Sequence, residues 1–234
     1  MRKKIIFSVL ILLFAFIIHN QYTVLAMNTG FETEDIDSDT QAHIFMKMEI
    51  ELLESDPEGY LISNYDINRL NGDIALSFDN QFGITKKIGI YDASGRYKYG
   101  YSLLDYGSVC VEWDGVNIII ISVRGDRAVL VDMDANLIDM KRIKNNTRNN
   151  TYWHDNVFSN NKVIGQDTYV LKHSKLIKTD SSGKETILYD ESMKKTLSNL
   201  ANILYFVILF TIAIVWIIRY CMKNLRSPRS QYCL

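Results

Sequence analysis

Three stretches of this chain end an apolar run in Asp and start a new run a few residues later: IGIYDASGRYKYG, AVLVDMDANLIDM and KLIKTDSSGKETIL. Asp92, Asp132 and Asp180 lead the turns, and Gly95, Ala135 and Gly183 stand three positions on. An Asp side chain accepts from backbone groups two residues on, which is why it so often opens a tight turn. Each stretch therefore reads as a hairpin with one shared turn chemistry. The three Asp residues lie about 40 and 48 residues apart, the period of a repeated supersecondary unit. A further candidate hairpin precedes each, as in SVCVEWDGVNIIIISVRGDRAVLVD.

The chain around these turns has the texture of an all-β meander. From Tyr60 on, short β-branched and aromatic runs alternate with Asn, Asp and Gly clusters. YLISNY, DIALSFD, KKIGIYD, RYKYGYSL, SVCVEW, VNIIIISV, RAVLVDM, NLIDMKRI, NVFSN, KVIGQD, TYVLKH, KLIKTD and KETILYD are the candidate strands. Ile118–Ile121 has no period at all, as expected of a strand buried on both faces.

An apolar strand, a D-x-x-G turn and an outgoing strand, recurring over about residues 70–190, resemble the outer hairpin of bacterial β-propeller blades, including the quinoprotein-like secreted repeats. The resemblance implies blade-like antiparallel repeats. The Trp typical of quinoprotein-like blades is missing at the matching places, and Ala135 replaces a glycine, so no cofactor and no active site carries over. About three blades is fewer than the four to eight of a closed propeller. Three arrangements stay open: a curved open stack, a sheet completed by earlier segments, or closure between two chains.

The ends of the chain set its expected organisation. Residues 1–26 begin MRKK and continue into a run of about 14 apolar residues, which reads as a signal peptide or an N-terminal membrane anchor. Residues 27–40 are acidic and read as a linker. Over 41–56, Ile44, Phe45, Met48, Leu52 and Leu53 recur at helical spacing and predict one short amphipathic helix. The β-repeat domain follows over 57–190. Residues 197–219 carry an uncharged apolar stretch about 20 residues long and predict a transmembrane helix. The tail at 220–234 holds Lys223, Arg226 and Arg229, and short basic flanks mark the cytoplasmic side. The main domain is therefore expected outside the cytoplasm.

Composition narrows the function classes. Lys and Arg total 26 against 27 Asp and Glu, a balance that argues against a nucleic-acid partner. Cys110 alone falls in the β-repeat region, so no disulfide forms within it, and the Ile-, Asn- and Lys-rich composition has a bacterial character. No nucleophile elbow, zinc-protease helix, phosphate-cradling loop or Cys–His pairing occurs. Catalytic residues and a cofactor are not expected.

Binding and metal candidates are few. Asp132, Asp134 and Asn136 alternate as in the start of a calcium loop, but the sixth and twelfth positions hold Leu137 and Ile143, where an EF-hand places Gly and Glu. The turn reading is preferred; a strand-borne metal site is the weaker alternative. Tyr97, Tyr99 and Tyr101 alternate along one strand and make a candidate aromatic binding face. Residues 145–156 form the longest non-strand connection, and Trp153, His154 and Asp155 at its end make a candidate recognition loop. Taken together, the sequence predicts a membrane-anchored binding or scaffold module that recognises a protein or envelope component, with homo-oligomerisation possible. A sensor or regulatory subunit of a membrane complex is the alternative, and a hydrolase with a dispersed site comes third.

Overall fold

The computed structural model describes residues 27–57, 60–79 and 83–225. The expected signal peptide or anchor at 1–26 and the tail from 226 on lie outside the described residues.

The fold is mainly β, with three antiparallel sheets built from consecutive strands. Strands β3 (Leu61–Ile67), β4 (Ile74–Asp79), β5 (Thr85–Tyr91) and β6 (Tyr97–Leu104) form the meander of sheet I. Sheet II holds β7 (Val109–Asp114), β8 (Asn117–Ser122), β9 (Arg127–Val131) and β10 (Leu137–Ile143). Sheet III holds β11 (Asn161–Ile164), β12 (Asp167–Lys172), β13 (Lys175–Thr179) and β14 (Glu185–Asp190). Two short strands from the preceding segment extend the first two sheets. β1 (Thr33–Asp35) pairs with β10, and β2 (Glu51–Leu52) pairs with β6.

The three Asp turns occupy the same place in each sheet, between the third and fourth strands. In each, the carboxylate takes two backbone N–H groups: Ser94 and Arg96 on Asp92, Asp134 and Asn136 on Asp132, Ser182 and Lys184 on Asp180. The third residue on donates its N–H to the Asp carbonyl and adopts positive φ, at +85° for Gly95, +65° for Ala135 and +82° for Gly183. That geometry explains the small residue at this position, since a side chain is strained there. The Ser94 hydroxyl and the Arg96 backbone hold the Asp92 carboxyl well below the usual carboxylate range.

The sheets stack through three apolar layers. Ile88, Tyr101 and Leu103 of sheet I meet Val109, Ile120 and Val129 of sheet II. Tyr65, Phe78 and Tyr91 on the other face of sheet I meet Tyr169, Leu176 and Leu188 of sheet III. The far face of sheet II, with Cys110, Ile121 and Leu130, is covered by Met27 and Phe31 and by a helical segment after β10. The far face of sheet III has no such cover among the described residues, and Val163 and Ile187 are 64% and 55% exposed there. Sheet I thus lies between sheets II and III.

Several expectations are corrected. The acidic segment is not a free spacer: Met27, Phe31 and Ile36 are buried, and Thr33–Asp35 joins sheet II. The helix predicted over 41–56 is not present with those bounds. Helix α1 runs Ser38–Met48, Asp37 caps it by accepting from the Thr40 N–H, and Glu49 at φ +45° ends it, so Glu51 and Leu52 are free to pair as a strand. The connection at 145–156 is helical rather than a loop. α2 spans Thr147–Tyr152 behind an Asn146 cap and runs into a π-helical turn, Trp153–Val157, so NVFSN is not a strand.

The last element is α3 (Ser192–Leu225), 34 residues or about 50 Å long. Its stretch Ile203–Tyr220 is long and apolar enough to cross a membrane, and none of it is buried against the described residues. Near its end the Trp216 and Tyr220 rings stack at 5.8 Å, in the part of a span where amphipathic rings favour the interface.

Candidate functional site

The first strand of every sheet is an edge strand, and the three edges converge. An edge carries unpaired backbone groups that must find partners when buried. Here side chains of β3 supply them. Asn64 Oδ1 accepts the Val111 N–H at 3.0 Å, and Asp66 Oδ2 accepts the Trp113 N–H at 2.9 Å, so β7 is closed by side chains where a neighbouring strand would otherwise lie. Asn64 Nδ2 donates to the Val157 carbonyl, tying the π-helical turn to the same edge. The second oxygen of Asp66 accepts Lys162 Nζ of β11 at 2.9 Å, and both side chains of that pair are largely buried. Tyr65 donates its hydroxyl to the Tyr169 carbonyl at 2.8 Å, adding a second link to sheet III. Asp66 therefore joins all three sheets through one carboxylate.

Around Asp66 opens a cleft of about 610 Å³, bounded by Asn28, Arg69, Glu112, Asp155, Asn161 and Lys162 among others. Glu112 is 8% exposed, and Tyr152 donates its hydroxyl to Glu112 Oε1 at 2.9 Å. Burial pushes the Glu112 carboxyl up to about 7; the Asp66 charge adds to this, while the Tyr152 hydrogen bond and Lys162 oppose it. Burial likewise raises the Tyr152 phenol. The Tyr152 ring packs against Gly30, where an added Cβ would meet ring Cε2 at 2.1 Å, so any larger residue there would displace the ring. Asn149 fixes the same segment, accepting the Glu32 N–H and donating to the Glu32 and Lys144 carbonyls.

The cleft is thus polar, walled by elements from all three sheets, and holds a carboxyl that exchanges its proton near neutrality beside a fixed ion pair. It suits a ligand rich in hydrogen-bonding groups. Cys110, next along β7, is buried, and its thiol is pushed up to about 12, so it stays protonated and inert.

The residues singled out in sequence have other positions. Tyr97, Tyr99 and Tyr101 do not share a face. A bulge pairs Ile90 with Tyr99 and Tyr91 with Tyr97, so Tyr97 turns toward sheet III while Tyr99 and Tyr101 pack toward sheet II. Tyr101 is fully buried and donates its hydroxyl to the Asp132 carbonyl at 2.8 Å, so the aromatic platform is replaced by packing. Trp153 packs on Phe31 and Phe158 and, with the exposed His154, lines a separate hollow of about 350 Å³. Asp155 alone of that trio lines the central cleft, although His154 Nδ1 lies 3.0 Å from its Oδ1. Asp132 spends both oxygens within its turn, the second on the Asn136 amide. Among the described residues no group of three His, Cys, Asp or Glu is placed to hold a metal.

Sequence reasoning passed over Asp66, Glu112, Tyr152 and Lys162. A usable signal was present in SVCVEW: Glu112 falls in phase with Cys110 and is flanked by the apolar Val111 and Trp113. A charge at a buried phase of a strand needs a partner, and that need points to a site. Compared with known proteins, the chain matches no family model, and no curated protein or solved structure is significantly similar to it.

Proposed function

We propose that this protein is a membrane-anchored, extracytoplasmic binding module, with its sheets acting as blades of an open propeller-like stack and its central cleft recognising a protein or envelope component. α3 serves as the anchor, with the basic tail on the cytoplasmic side. The observation that carries this reading is the cleft at the meeting of the three edge strands, where Asp66, Glu112 and Lys162 come from separate sheets. Binding sites favour such junctions, where several elements each contribute a polar group. The partner is an envelope or membrane protein, or an envelope polymer, with hydrogen-bonding groups that match the cleft wall.

The test is site-specific photo-crosslinking of the full chain in its native membrane. A crosslinker in place of Arg69, an exposed residue at the cleft, should capture one defined partner. The same group in place of Lys184, on the remote turn of sheet III, should not. Equal capture at both positions, or none at the cleft, overturns the reading.

A sensor or regulatory subunit is the second reading, and one observation favours it. Glu112 changes charge around neutral pH, and its partner Tyr152 belongs to the segment that covers sheet II. Partner capture that switches between pH 6 and pH 8 and stays constant in Glu112→Gln would select this reading over a passive scaffold.

A further inference from the structure

A second hollow, of about 480 Å³, lies between α1 and the β8–β9 hairpin, at the open end of the apolar layer between sheets I and II. His43 and Lys47 reach it from α1, and Arg124 and Arg127 from the hairpin. Its floor is apolar, with Ile44, Met48 and Leu104, and Tyr106 stands 77% exposed beside it.

The charges here are arranged unlike those elsewhere in the fold. At the other sheet rims a cation holds a carboxylate: Lys86 with Asp79, Lys98 with Asp73, Lys162 with Asp66 and Lys178 with Asp167. Lys47, Arg124 and Arg127 form no ion pair among the described residues. Asp105 is the one acid lining the hollow among the described residues, and its Oδ1 accepts the Gly107 N–H at 2.6 Å. Arg127 is directly opposite Arg142 in the β9–β10 ladder, and Glu34 of β1 stands opposite Arg142 on its other side, so the acid of that row lies beyond Arg142 and away from the hollow's lining. Ser122 Oγ accepts the Gly125 N–H at 3.2 Å, which leaves the hydroxyl proton to donate into the hollow.

We infer that this hollow is a binding site for an organic phosphate, a mono- or diester whose phosphoryl oxygens meet the Arg124 and Arg127 guanidiniums, Lys47 and the Ser122 hydroxyl. The planar fork of an arginine matches phosphate oxygens two at a time, and Lys adds a point charge. The apolar floor takes the carbon skeleton of the ester. The site is distinct from the central cleft and stands or falls without it. Two sources supply this chemistry, an anionic lipid headgroup and a soluble phosphate ester.

The test uses the full chain in nanodiscs of phosphatidylcholine, titrated calorimetrically with glycerol phosphate. Saturable binding is expected, weakened by about tenfold in Arg124→Gln and again in Arg127→Gln, as loss of a charge-assisted contact requires. Arg148→Gln, which removes an exposed arginine already paired with Glu32, should leave binding unchanged. Lys47→Gln, on α1 rather than the sheet, repeats the test should an arginine variant fold poorly. Phosphatidylglycerol added to the disc should compete with glycerol phosphate if the lipid headgroup is the occupant; no competition identifies the soluble ester. Absence of saturable binding, or equal binding by the wild type and the Arg124, Arg127 and Lys47 variants, overturns the site.

Discussion

Sheets II and III share one meander and one turn chemistry, yet they are stabilised in different ways. Sheet II is buried on both faces: Ile118, Ile119, Ile120 and Ile121 are each at most 1% exposed, half toward sheet I and half toward Met27, Phe31 and the π-helical turn. Sheet III buries Tyr169, Leu176 and Leu188 on one face and leaves Ile187 and Val163 outward. A single repeated unit therefore becomes a core sheet or a boundary sheet according to what covers its second face. The cover over sheet II has a chemical consequence as well, since it is what desolvates Glu112. Among the described residues, sheet III has neither a cover of this kind nor a buried carboxyl.

This contrast can be broken most directly at Ile120. Truncation to Ala should cost about 3–4 kcal/mol in chemical denaturation, because the cavity in a two-sided layer has nothing to collapse into. A loss of less than half that would mean sheet II is looser than its burial implies.

The effect of the cover on Glu112 is next in size. The folded carboxyl titrates at about 7 against an ordinary 4.5, so the folded chain keeps a proton that the unfolded chain releases. Stability from this group is full below pH 4.5, falls as pH rises to about 7, and stays lost above it. Glu112→Gln should therefore gain up to about 3 kcal/mol over the wild type at pH 8 and little at pH 4. A pH-independent difference would show that the carboxyl is hydrated and the cover incomplete.

Smaller effects come from the turns. Ala135 holds φ +65° in sheet II where sheet III has Gly183 at φ +82°. Ala135→Gly should raise stability by about 0.5–1 kcal/mol, the relief of left-handed strain exceeding the added freedom of the unfolded chain. A destabilised variant would mean the alanine methyl packs usefully against the layer it borders.

The smallest effect is expected at Ile187. Its truncation to Ala should change stability by less than about 0.5 kcal/mol, as at exposed positions generally. A cost near that of Ile120 would mean the open face of sheet III is covered in solution.

Much of the fold was legible because it rests on local rules. The Asp turns, the aperiodic run at Ile118–Ile121 and the apolar stretch of α3 each follow from residues within a few positions of one another. The bulge opposite Tyr91 was not legible, and a single extra residue moved Tyr97 to the other face of its sheet. The helix α1 was misplaced because its cap, Asp37, lies outside the apolar pattern, and because Leu52 and Leu53 continue that pattern past the real end at Met48.

The sequence by itself determined the strands, the three repeated turns and the apolar helix, since hydrogen-bonding turns and side-chain periodicity act over short spans. Only the tertiary structure decided where the sites lie. Asp66 meets Lys162 across 96 residues, Tyr152 meets Glu112 across 40, and Asn28 lines the same cleft from the N-terminal segment. Such meetings depend on how three sheets stack and on which buried edge groups need partners. Those conditions are set by the packing of the whole body, and no local pattern encodes them.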